Sequence, residues 1–357
     1  MWALVFVGAA LALYGVAQFS GHDFYKFNNA YGTNVFGSFG NPNFQSAFLG
    51  ITSSIVWAQL FRKENTLVYK VFLWTFLLLA LFVIVKSNAD QGLIVFFLGL
   101  AVVITLKIYS LRSRVSMIAW SIFVLGSSFI SIMGMLKIGP LANLLYKDSL
   151  TYRGDYWRAA VNMALAHPIT GVGIDNYGDN YRLYRTLDAT LRRSADVTSN
   201  SPHNVFLDYL VNGGFPTFVL YSTLIIFTLV TIFRFLKKNS VFSPAYAGLT
   251  AAFVTYLTQS VISVNHIGLA VWGWVLMGAI LGFRDDNHPE LFNEVSKRHF
   301  KKISKVKSTE LQASIVIATF VGILLGFAIS FPPLKANLDY FSALKTKQAD
   351  VLIQEVL

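Results

Sequence analysis

Cysteine is absent from this chain, which excludes disulfide bridges, thiol nucleophiles and Cys-type zinc or iron–sulfur centres. Charge is scarce as well: 13% of the 357 residues are charged, about half the share usual in a soluble domain. That excludes an ordinary globular enzyme. Acidic groups are the rarer sign, and no cluster of His, Asp and Glu stands at metal-ligand spacing. Residues 20–42, for example, hold a single carboxylate, Asp23. No internal repeat is visible. What remains is apolar: 55% of residues are hydrophobic, mean hydropathy is +0.55, and the apolar residues fall in long blocks.

The blocks read as helices over 2–19, 43–61, 67–86, 92–110, 115–136, 215–236, 244–264, 267–283 and 311–331. A membrane span needs roughly 20 residues, with 17 tolerated. The predicted fold is therefore all-α: a polytopic transmembrane bundle of about nine spans. The first run lacks a basic leader, and Gln18-Phe19-Ser20-Gly21 is a poor cleavage site, so it is read as a span. The expected organisation is N-terminal membrane helices over 1–136, a large helical extracytoplasmic loop over 137–214, C-terminal membrane helices over 215–331 with a basic cytoplasmic loop at 284–310, and an extracytoplasmic tail at 332–357.

The net charge of +11 would suggest nucleic acid in a soluble protein. In a membrane protein it first means cytoplasmic anchoring, so membrane lipid is the expected partner and nucleic acid is not. One alternating set of loops holds Arg62-Lys63, Lys107, Arg112, Arg114, Arg234, Lys237, Lys238 and the 297–307 lysine cluster. Short basic loops stay in the cytoplasm. The N-terminus is then inside, and the 137–214 loop and the tail are outside.

The long loop breaks the charge rule, since it carries Arg153, Arg158, Arg182, Arg185, Arg192 and Arg193. Aspartates such as Asp155, Asp175 and Asp196 balance them, so charge pairing is one reading and anion recognition the other. Residues 151–166 look helical, with an N-cap near Thr151; Arg153 and Trp157, four apart, share a face. His167-Pro168 ends that helix, and Gly171-Val172-Gly173 forms a turn. Residues 176–195 read as a second helix. After Ser201-Pro202-His203-Asn204 comes an apolar stretch, 205–211, too short to span and broken by Gly213-Gly214. His203 is thereby placed at the start of a short helix beside the membrane.

The order Arg153, Trp157, His167-Pro168, Gly171-Val172-Gly173, His203-Asn204, Gly213-Gly214 resembles the shared C-terminal region of the O-antigen ligase and O-antigen polymerase superfamily. Gly40-Asn41-Pro42-Asn43 resembles a further family element, a turn before a helix. The resemblance covers roughly residues 35–285. It implies a GT-C type glycosyltransferase that takes glycan from an undecaprenyl-diphosphate carrier. The acceptor is lipid A–core in ligases, another carrier-linked repeat in polymerases and protein in other relatives. By position, His203 resembles the family's loop histidine and Arg153 the arginine that opens the loop helix. The family often has Ser-Arg at the outer end of an earlier helix; here Lys86-Ser87-Asn88 stands there, with Lys86 or Gln91 as possible substitutes. Family members usually carry more spans, so the chain is either a shortened member or a fragment.

The chemistry needs few groups. A sugar-linked diphosphate is a good leaving group whose developing charge a guanidinium can bind bidentately. The acceptor hydroxyl needs a base, and a neutral histidine contributes roughly 10²–10⁴-fold. Neither a metal nor a cofactor is required, and attack on the opposite face inverts the anomeric centre. His203 and Arg153 are the expected catalytic residues, with Arg158, Arg182, Arg185, Trp157, Asn204 and Lys86 as substrate contacts. Several have a plainer reading: His203 as a helix cap, Arg153 paired with Asp155 or Asp148, Trp157 packing its helix, the later arginines as a solvated face. His266 reads as a polar interface residue, and His22 and His167 as structural. The rival class is a lipid-linked glycan flippase or another transporter. Transporters usually place charges at mid-membrane, whereas here polar residues gather outside the runs.

Overall fold

The computed structural model describes residues 1–23, 33, 35–239 and 241–283, with scattered helical positions between 317 and 335. The expected 284–310 loop, most of the 311–331 span and most of the 332–357 tail lie outside the described residues. The chain divides into two compact units, Met1–Phe283 and Arg284–Leu357. In the first, the helices are α1 (Trp2–Phe19), α2 (Pro42–Gln59), α3 (Leu67–Lys86), α4 (Asp90–Ser110), α5 (Arg114–Met135), α6 (Ala142–Leu145), α7 (Asp148–Ala166), α8 (Tyr177–Tyr184), α9 (Leu187–Arg193), α10 (Val205–Lys238), α11 (Pro244–Ile262) and α12 (Ile267–Leu281). Among the described residues there is no β-strand.

Five helices, α1, α3, α4, α5 and α10, are long and apolar enough to cross a membrane, and α12 is a shorter apolar helix. The other two runs read as spans, α2 and α11, fall outside that set. Both are rich in Ser, Thr, Gln, Ala and Gly. The reason is their position: α2 buries 16 of its 18 residues and α11 lies against it. A helix shielded by other helices needs no lipid-compatible surface. α5 is the opposite case. Its only buried residue is Gly134, so it presents apolar side chains outward along its whole length.

Small residues let the central helices approach. Ser46, Gly50 and Ser54 are spaced four apart on α2 and lie on one face. A Cβ on Gly92 would come within 2.3 Å of Ser46, one on Gly50 within 2.7 Å of Val95, and one on Gly99 within 2.2 Å of Ser54. This is small-xxx-small packing, in which close backbone contact replaces the missing hydrophobic drive between helices in lipid. The same Ser54 Oγ also meets Thr255 Oγ1 of α11 at 3.3 Å, and Gly248 of α11 lies against Ile55.

Two ends of the bundle can be told apart by their contacts. At one, Thr33 donates to the Lys86 carbonyl, Lys147 pairs with Asp90, Asn265 donates to Tyr209, and His266 packs on Phe39 and Phe44. At the other, Phe242 packs against Phe61 and under the Lys107 ammonium. The long segment carrying α6 to α9 is tied to the first end.

Two local readings change. The first loop helix begins at Asp148, not after a cap at Thr151; Thr151 instead meets Tyr146 at 3.0 Å. The single helix expected over 176–195 is two, because Thr186 caps α9 by accepting from the Ala189 N–H while Arg185 turns extended.

Candidate active site

The loop has a core of its own. Tyr156, Ala159, Ala160 and Met163 of α7 pack with Tyr177 and Tyr181 of α8 and Val211 of α10. Tyr177, fully buried, donates to the Tyr156 carbonyl at 2.9 Å, and burial pushes its phenol well up. Half-buried Trp157 flanks this core with its indole N–H enclosed and without an acceptor.

α10 is two helices joined at Gly214, which has φ +69°. The break separates Phe215 N–H from Val211 C=O, which a straight helix would pair. The turn after α7 satisfies both orphans: Phe215 N–H donates to the Pro168 carbonyl and the Val211 carbonyl accepts from Val172 N–H, each at 2.8 Å. Pro216 follows, a residue with no N–H to lose. Glycine is obligatory at the contact. A Cβ on Gly171 (φ +64°) would sit 2.2 Å from Val211 O, and one on Gly214 would sit 2.3 Å from Ile169 O. Pro168, Ile169, Phe215, Pro216, Val219 and Leu220 line an open apolar groove outside this joint.

His203 stands immediately before α10. Asn204 is the N-cap, its side-chain oxygen accepting from the Phe206 and Leu207 N–H groups at 3.0 and 3.1 Å. His203 itself adopts φ +52°, a left-handed backbone uncommon outside glycine, with its N–H directed to Ser201 Oγ. Its ring stacks on Tyr156, centroids 5.4 Å apart and planes at 24°. Burial, then the charges of Arg153 and Arg193, push the imidazole pKa down to about 4.

Arg153 lies in this neighbourhood, half-buried on α7, and burial lowers its pKa. It has no carboxylate partner among the described ion pairs. The pairing with Asp155 does not form, because buried Asp155 takes Arg192 instead, whose Nη1 lies 2.6 and 2.5 Å from the two carboxylate oxygens. The other expected contacts are dispersed. Arg182 donates to the Asp196 carbonyl, and Arg185 to those of Ser194, Ala195 and Val197. Both guanidiniums thus hold the segment after α9. Arg158 is exposed. Lys86 ends α3 with its ammonium over the Phe19 and Phe82 rings, at 4.7 and 5.8 Å. His167 meets Tyr184 at 3.0 Å, and His266 caps α12 through Nδ1.

The sequence reading singled out His203 and Arg153 but missed Tyr156 and the distinction between Arg192 and Arg193. A signal was present. Tyr152 and Tyr156 share a face one residue behind Arg153 and Trp157. Adjacent arginines on a helix diverge by about 100°, so one of the pair must turn away from the other.

The fold and site define a helical membrane protein whose loop holds a histidine between arginines. Residues 75–222 match the family model for the O-antigen ligases, a stretch that includes Arg153, both glycine motifs and His203. The matched stretch is less than half of the chain, and over it the chain is similar to the O-antigen ligases. No curated protein matches the chain significantly.

Proposed function

We propose that the protein transfers glycan from an undecaprenyl-diphosphate carrier to an acceptor hydroxyl at the extracytoplasmic face of the bacterial inner membrane. The observation that carries this reading is the pair at the loop's centre: a half-buried guanidinium, Arg153, with no carboxylate among its described contacts, beside a His203 imidazole held neutral. An unneutralised buried cation is costly unless an anion occupies the site for part of the cycle. A diphosphate on a membrane-borne sugar has the charge and geometry for it. Arg153 binds the departing diphosphate and stabilises the charge that develops there. His203 takes the acceptor's proton as its oxygen attacks the anomeric carbon from the opposite face, inverting it.

The buried imidazole is too weak a base on its own, since general-base efficiency peaks when the pKa lies near the working pH. Donor binding corrects this. A diphosphate placed against the arginines offsets their charge, and the imidazole's proton affinity rises when the substrate is present. The basic loops at 62–63 and 107–114 support an orientation with the long loop outside.

The test is transfer by purified protein in lipid vesicles, with a defined carrier-linked donor and acceptor and no added metal. We expect His203→Gln and Arg153→Ala to lose at least about 100-fold in rate while the protein remains folded. Wild-type rates in both variants would refute the reading. Movement of carrier lipid across the vesicle without glycosyl transfer would establish the transporter class in its place.

A further inference from the structure

Arg193 is the last residue of α9, and it differs in its surroundings from its neighbour Arg192. Arg192 is neutralised by Asp155. Arg193 has no carboxylate among the described ion pairs. Its guanidinium lies 4.3 Å over the Tyr152 ring, and its Nη1 donates to the Tyr156 hydroxyl. Tyr156 in turn carries the His203 ring on its face. Tyr152 and Tyr156 are one turn apart on α7, so they form a two-ring shelf. On that shelf Arg193 is half-exposed, and one of its five N–H donors is engaged by the Tyr156 hydroxyl. Tyrosine faces orient a guanidinium without discharging it. Asp155, the acidic residue on the same turn of α7, is already occupied.

We propose that Arg193 is the second anion-binding residue of the site: with Arg153 it grips the diphosphate of the carrier-linked donor, the two guanidiniums flanking His203 from α9 and α7. This rests on the glycosyl-transfer reading above and adds to it a residue and a geometry. A diphosphate spreads its charge over two phosphoryl groups. One guanidinium satisfies one group bidentately, so a second cation is needed for the other. Arg193 reaches the Tyr156 hydroxyl, the Tyr156 ring carries His203, and Arg153 stands three residues before Tyr156 on the same helix, so both arginines belong to the side of α7 that meets the imidazole. Tyr156 touches both groups, its hydroxyl taking an Arg193 N–H and its ring carrying the His203 ring, so Arg193 and the imidazole meet at one residue.

The proposal separates Arg193 from three lookalikes. Arg192, Arg182 and Arg185 are spent on Asp155 and on the carbonyls of 194–197. Substituting them should lower stability and leave donor affinity nearly untouched. Arg193→Ala should raise the donor KM and the inhibition constant of inorganic pyrophosphate together, each about 10- to 100-fold, the range of one charge-assisted contact. Arg193→Lys, which keeps charge but loses the fork, should recover part of that loss.

Tyr156→Phe decides between direct and indirect action. It keeps the ring under His203 and deletes only the hydroxyl that Arg193 holds. If Arg193 binds the donor, Tyr156→Phe costs at most about threefold in donor KM, because water takes the N–H that the half-exposed guanidinium loses. If Arg193 only props Tyr156, Tyr156→Phe reproduces the Arg193→Ala loss and the proposal falls. It also falls if Arg193→Ala leaves donor KM and pyrophosphate inhibition at wild-type values while Arg153→Ala and His203→Gln abolish transfer. Loss of the glycosyl-transfer reading itself would show differently, as full activity in those last two variants.

Discussion

The titration of His203 offers the most direct check on the site. The perturbation is pH, with Arg153→Met as the companion change. In the folded protein the imidazole pKa falls from 6.5 to about 4, through burial first and then through Arg153 and Arg193. The difference, 6.5 minus 4, is about 2.5 pH units, or ~3 kcal/mol in favour of the neutral ring. The sign for stability follows. The unfolded chain takes up a proton below about 6.5 and the folded one does not, so stability is full above that pH and declines as pH falls towards 4. For catalysis, kcat/KM reports the free enzyme, and its acidic limb should lie near pH 4 rather than near 6.5. The limb for kcat reports the donor complex and should lie higher, because bound diphosphate offsets the arginines. Arg153→Met should move the free-enzyme value part of the way back and no further, since burial, the largest cause, remains. Two measurements serve: transfer rate against pH in vesicles, and the imidazole resonances of protein labelled at its six histidines, with His203→Gln identifying the signal. A His203 titration at 6.5 in the folded, donor-free protein would refute the argument, as would coincident limbs for kcat and kcat/KM.

Gly214→Ala and Gly171→Ala each force a Cβ against a carbonyl at positive φ; we expect destabilisation of at least about 2 kcal/mol, read as a drop in melting temperature together with new protease cleavage in the 167–175 turn. Gly50→Leu should prevent α2 and α4 from closing, because the added side chain meets Val95 and the Phe96 backbone; folded yield in detergent should collapse, whereas Gly126→Leu on outward-facing α5, with open space around it, should fold normally. Asp155→Asn should leave Arg192 unpaired and lower thermal stability while donor KM stays within about twofold, and an equal loss of donor affinity would mean that Arg192 belongs to the site. Reporter fusions after residues 63 and 114 should read cytoplasmic and one after 195 extracytoplasmic; a cytoplasmic signal at 195 would put the site on the wrong side for carrier-linked glycan.

Much of the fold is legible in hydropathy because lipid-facing helices must be apolar along their whole length. The runs at 2–19 and 67–86 coincide with α1 and α3, and those read for α4 and α5 end within two residues of them. The helices that hydropathy marks least, α2 and α11, form the centre of the bundle. Their signal is the spacing of Ser46, Gly50 and Ser54, a packing pattern that an apolar count does not register. In the loop, glycine and proline announced the turn at 168–173 and the break at 213–214 correctly, since both are backbone properties of single residues. Arginine roles were not legible. Six arginines look alike in a sequence, and what separates them is whether a carboxylate, a carbonyl or a tyrosine face lies within reach, which only the packing of α7 against α8 and α9 decides.

The two glycine motifs are one device. Gly213-Gly214 breaks α10 and strands Val211 C=O and Phe215 N–H; the turn carrying Gly171 has the matching donor and acceptor and closes on them. Neither motif is stable alone. The broken helix would leave two polar backbone groups without a protein partner, and the turn would have no reason to hold its left-handed glycine. Together they fix α7 to α10. The consequence reaches the site, because Arg153 and Tyr156 belong to α7 while His203 sits at the start of α10. The proposed base on one helix and the proposed anion grip on another stay in register only if the joint between those helices is rigid. Arg153 and His203, fifty positions apart in the chain, are brought together by that pair of hydrogen bonds and by the stack of Tyr156 on His203. A side chain at either glycine would drive the turn and the break apart and so separate α7 from α10.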